Sequence, residues 1–198
     1  MILHIPNLPP QIAERAVDAA ICAVGHLPRH LLIADMSQPS SHERLWVLDL
    51  SKPGHPQLIG QARVAHGAGS DPDKTGLPER FGNIVNGGRT SLGLYRVAEP
   101  YIGVHGKSYR LDGLTPGYDD HARERAVVLH PAPYVTETHV GRSLGCPAIN
   151  PEVFTRFDKL GVFHGAYLWI DGPGAPQATC QALSAWPQTD TSTWTQGA

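Results

Sequence analysis

The apolar runs of this chain are short, and nearly all of them end in residues that turn the backbone. Stretches 31–34 (LLIA), 45–50 (LWVLDL) and 58–65 (LIGQARVA) read as strands, separated by Ser37-Gln38-Pro39-Ser40-Ser41 and Ser51-Lys52-Pro53-Gly54. Further strands are expected over 92–98, 101–105, 108–111, 126–130 and 166–170. With 21 Gly and 18 Pro in 198 residues, the chain favours turns and short strands over long helices. Three helices are expected. Pro9-Pro10 opens the first and Gly25 closes it; Asp119-Asp120 caps a short one through Arg125; Asn150-Pro151 opens the third, which stops at Gly161. The fold class is therefore mostly β with short helices.

Three regions follow from this pattern. Residues 1–30 form an N-terminal helical segment, 31–171 the main domain, and 172–198 a tail rich in Pro, Gly and Thr with little to bury. Between residues 67 and 90 lies a long glycine-rich loop, and a loop of that length inside a domain is often functional.

A net charge of -2, with no basic cluster among aromatics, argues against a nucleic-acid partner. No apolar run reaches the roughly 18–20 residues needed to cross a bilayer. The start, MILHIPNLPP, has neither the basic nor the apolar region of a secretion signal.

Cysteines number three, too few and too scattered for a disulfide framework. Cys22 falls on the apolar face of the first helix and reads as a core residue, while Cys180 lies in the polar tail. Cys146 stands apart, in Gly141-Arg142-Ser143-Leu144-Gly145-Cys146-Pro147-Ala148. An earlier copy of Ser-Leu-Gly, at 91–93, ends in Leu94 instead. A nucleophilic thiol needs a base and donors for the oxyanion it creates. Gly145 lets the backbone bend, so that the N–H groups of Gly145 and Cys146 can face one oxygen. For the base, His130 ends an apolar strand before Pro131, and His105 ends another before Gly106; His121 and His139 are weaker candidates. Spacing alone leaves these open. A zinc site built from His66, His105, His130, His139 and Cys146 lacks any HExxH or CxxC spacing, so no metal and no cofactor is expected.

Several motifs in order resemble the L,D-transpeptidase catalytic domain of bacterial cell-wall enzymes, in the branch reading Ser-x-Gly-Cys-Pro. They are Val64-Ala65-His66-Gly67, Ser91-Leu92-Gly93, Gly103-Val104-His105-Gly106, Arg110 to Leu114, Arg125 to His130, and Gly141 to Ala148. The resemblance implies a β-sandwich-like domain, Cys146 as nucleophile and His130 as base, its ring oriented by a backbone carbonyl near Pro131 or Ala132. It also implies a peptidoglycan stem tetrapeptide as substrate, a thioacyl-enzyme resolved by transpeptidation or carboxypeptidase hydrolysis, and a periplasmic or otherwise extracytoplasmic site of action. A monomer is expected. Many members read Ser-His-Gly-Cys-x-Arg; here Leu144 and Ala148 replace the histidine and the arginine. His105, Ser143, Arg142 and Arg89 are then the substrate-binding candidates. Two other readings keep the fold: a cell-wall-binding module with an inactive site, and an antibacterial toxin with the same thiol chemistry.

Overall fold

A computed structural model describes residues 5–52 and 54–177. The first helix, α1 (Pro10–Val24), starts at a proline and stops where Gly25, at φ 76, takes the left-handed conformation. Nine strands follow: β1 (His30–Asp35), β2 (Leu45–Asp49), β3 (Gln57–Ala62), β4 (Val64–Ala65), β5 (Gly93–Gly103), β6 (Gly106–Gly113), β7 (Val128–Pro131), β8 (Ala148–Ile149) and β9 (Tyr167–Asp171). A second helix, α2 (Pro151–Lys159), sits between β8 and β9. Asn150 caps it, its side chain accepting from the Glu152 and Val153 amides.

The strands form one sheet in the order β3-β2-β1-β9-β5-β6-β7-β8-β4. Most neighbours are antiparallel; β1 with β9 and β7 with β8 are parallel. Alternation along the central strands divides the interior in two. Leu31, Ile33, Trp46, Leu48, Leu94 and Trp169 face α1. Leu32, Ala34, Leu45, Val47, Tyr95, Leu111, Leu129, Leu168 and Ile170 face a second core that also takes Phe154, Phe157 and Phe163. Residues from nearly every strand meet in that second core, so the sheet curls around it. The central strands are buried on both faces, which explains their unbroken apolar sequences.

Four expectations need correction. Stretches 92–98 and 101–105 are one strand, β5, which crosses Glu99-Pro100 through a register shift against β6. A bulge absorbs the proline that cannot donate to the ladder. His105 does not end a strand; with Val104 it forms the two-residue turn between β5 and β6. Residues 119–125 make successive turns and no helix. The Asp119 carboxylate points inward to accept from the Thr115 amide at 2.6 Å, so it caps nothing after it. Ala126, at φ 52, ends the segment. Cys22 is half-buried and disulfide-bonded, not a free core thiol, whereas Cys146 is free; Cys180 lies outside the described residues, as does the tail from 178.

Candidate active site

Two short strands bring the thiol and the imidazole together. Parallel pairing sets His130 on β7 opposite Ala148 on β8, which places Val128 beside Cys146, two residues earlier on each side. Val128 N–H lies 3.4 Å from Cys146 Sγ, and the thiol faces the Ala126 carbonyl at 3.8 Å. Pro131 O sits 3.0 Å from His130 Nδ1, so that nitrogen carries the hydrogen and Nε2 keeps the lone pair. This is the carbonyl expected to orient the ring. His105, reaching over from the β5–β6 turn, stacks on His130 with ring centroids 4.0 Å apart.

A cavity of about 430 Å³ opens over these groups, lined by Ala68, His105, Arg125, Ala126, His130, Tyr134, Arg142, Ser143, Leu144 and Cys146. Burial lowers the His130 pKa to about 4, with the Pro131 carbonyl pulling the other way and His105 adding to the fall. Burial raises the Cys146 pKa, opposed by the Val128 amide and the charge of Arg125. At neutral pH the resting pair is thus a neutral thiol and a neutral imidazole.

Two loops hold the thiol turn. Ser143 forms a parallel bridge with Gly67: Ala68 N–H donates to Ser143 O at 2.8 Å and Ser143 N–H to His66 O at 2.9 Å. Gly67 N–H donates in turn to Thr90 Oγ1 at 2.9 Å. Gly145, at φ 121, lies so close to the 89–91 loop that a Cβ there would stand 2.7 Å from Arg89 O. Its counterpart in the other Ser-Leu-Gly, Gly93, has φ 132. Both copies therefore use glycine for the same left-handed turn, one ending in Leu94 and the other in Cys146.

Beneath the Gly67 loop lies a buried ionic network. Arg44, fully buried, donates to Val64 O at 2.9 Å, to Gln38 O at 2.6 Å and to His66 Nδ1 at 2.8 Å. His66 Nε2 lies 3.4 Å from Asp71 Oδ2. Burial and the neighbouring Arg44 charge push the His66 pKa down to about 4.

Of the residues singled out from sequence, Cys146, His130, His105, Ser143 and Arg142 line one cavity, and Arg89 does not. Its side chain runs past Gly69 and Gly82, and only its carbonyl reaches the site. Ser143 serves its own loop: its hydroxyl donates to Cys146 O at 2.7 Å and accepts from Gly145 N–H at 3.0 Å. That bond occupies one of the two amides read as an oxyanion pair. The Cys146 N–H has no acceptor among the described residues. Sequence reading missed Arg125 and Tyr134. Arg125 falls in a stretch whose sequence suggests a helix that does not form; its position just before the strand ending in His130 is the available signal.

The fold and site together define a thiol–imidazole cavity at the end of a parallel strand pair in a mostly-β domain. Residues 5–169 match the family described as the L,D-transpeptidase catalytic domain, and the chain belongs to that family. Comparison with curated proteins gave no match. Among solved structures, a single-substitution variant of the helical cell shape determining protein Pgp2 from Campylobacter jejuni is similar at a TM-score of 0.54 and 11% identity, over 79% of this chain and 52% of that one. An L,D-transpeptidase from Mycobacterium smegmatis is similar at a TM-score of 0.43 and 14% identity, over 73% of this chain and 59% of that one. The chain thus spans between half and three fifths of the length of these structures.

Proposed function

We propose that this chain is a cysteine-dependent peptidoglycan L,D-transpeptidase, with L,D-carboxypeptidase activity when water replaces the acceptor amine. It acts outside the cytoplasm, where peptidoglycan is. The observation that carries the reading is the His130 ring, tethered at Nδ1 by Pro131 O and lining one cavity with the free Cys146. That tether fixes the tautomer with a lone pair on Nε2, which a general base requires.

In this reading Cys146 Sγ attacks the carbonyl between an L-centre and the terminal D-residue of a stem tetrapeptide, and its proton passes to His130 Nε2. Negative charge gathers on the carbonyl oxygen, where the Cys146 N–H serves as donor. His130 then gives the proton to the departing amine, the C–N bond breaks, and a thioester remains. A second stem's amine, or water, attacks the thioester, and His130 returns the proton taken from that nucleophile to the sulfur. Because both resting groups are neutral, proton transfer accompanies attack instead of preceding it.

The test is covalent trapping. Wild-type protein incubated with a carbapenem is expected to gain the mass of one acyl group, and Cys146→Ala none. An adduct of equal yield in Cys146→Ala would refute the assignment.

A further inference from the structure

The cavity over Cys146 is lined by two arginines and two histidines, and by no carboxylate among the described residues. The two arginines differ in where their charge is committed. Arg142 Nη1 donates to Asp71 O at 2.5 Å, and its charge bears on buried His66. It also lines a second cavity on that side. Arg125 instead leans over the thiol turn. Its Nη1 donates to Ser91 Oγ and its Nη2 to Arg89 O at 2.5 Å, while Nη2 would stand 3.0 Å from a Cβ at Gly145. Two fixed acceptors on one loop thus hold the guanidinium rigidly beside the nucleophile. Nε–H and the second hydrogen of each terminal nitrogen have no acceptor among the described residues. A planar cation so placed, with donors to spare, suits a carboxylate bound in two-point fashion.

We infer that Arg125 is a specificity-determining residue whose guanidinium binds the free α-carboxylate of the residue that departs from the scissile bond. This rests on the function proposed above. It adds that the enzyme reads a terminal carboxylate, so that cleavage is confined to the end of a stem. The positive end of the pocket comes from the segment before β7 and not from the residues after the cysteine, where Ala148 is buried in the sheet.

Alkylation of Cys146 tests this without requiring turnover. Iodoacetate carries the carboxylate and iodoacetamide does not, so the ratio of their rates reports the anion site while thiol reactivity cancels. In Arg125→Met the ratio is expected to fall about tenfold, the size of one charge-assisted pairing. Arg125→Lys should keep part of it, and Arg142→Met most of it. In wild-type protein, D-alanine should slow alkylation by iodoacetamide and D-alanine amide should not, an arm that survives if Arg125→Met does not fold. A ratio unchanged in Arg125→Met, a fall confined to Arg142→Met, or equal protection by D-alanine and its amide would each overturn the inference. If alkylation behaves as expected but Cys146→Ala still forms the carbapenem adduct, the proposed function fails and the anion site stands.

Discussion

Replacing Arg44 by Met tests the platform under the thiol turn. The guanidinium is fully buried and serves three acceptors, the carbonyls of Val64 and Gln38 and Nδ1 of His66. Burial lowers its pKa to about 10, still high enough to keep it charged at pH 7. Methionine fills much of the volume and leaves those acceptors dry. A buried acceptor without a partner costs about 1–3 kcal/mol, so the three together cost about 4 kcal/mol, allowing for some relaxation. For a domain of this size each kcal/mol shifts Tm by roughly 2–4 °C, which gives a fall of about 8–16 °C. Thermal unfolding followed by circular dichroism at pH 7 reads it directly. Arg63→Met is the control: its bond to Ser41 O lies at the surface, and its loss should cost under about 0.5 kcal/mol. An Arg44→Met Tm within about 2 °C of wild type would refute the claim that these bonds hold the 64–71 segment in place.

Two predictions concern pH. Folding depresses the pKa values of His66 and His130 to about 4, so between about pH 6.5 and 4 the unfolded chain binds more protons than the folded one. Stability should be full above pH 6.5 and fall as pH drops through that window, and a Tm that is flat from pH 7 to 4.5 would contradict the buried, neutral assignment of both rings. Alkylation of Cys146 by iodoacetamide should rise mainly in the alkaline range, because burial raises the thiol pKa. A plateau of fast alkylation already present at pH 6 would show a preformed thiolate–imidazolium pair instead.

Local signals in the sequence carried α1 and α2 well. Proline at the start and glycine at the stop mark α1, and Asn150 with Pro151 marks α2, because each acts within one helical turn. The central strands were legible because runs such as Leu31 to Ala34 are apolar on both faces. What failed was decided at long range. Asp119 looks like a cap in sequence, but the fold turns it inward to Thr115 beside Gly93, and the helix it would have begun gives way to turns. Pro100 looked like a break, yet pairing with β6 carries β5 through it. At the site, the resemblance picked out Cys146 and His130, which do line one cavity. Arg125 was hidden because its importance lies in Ser91 and Arg89 O, more than thirty residues away. Gly145 was misread as an open donor because the Ser143 hydroxyl that engages it is visible only once the turn is folded.

The proposed chemistry has Cys146, assisted by His130, cut and transfer at the terminal D-residue of a peptidoglycan stem. Purified tetrapeptide muropeptides incubated with enzyme, followed by mass spectrometry of both products and quenched protein, test it most directly. Loss of the terminal residue and a thioester mass are expected with wild type, neither with Cys146→Ala, and a rate about 10²–10⁴-fold lower with His130→Ala. Turnover by Cys146→Ala at the wild-type rate would contradict it.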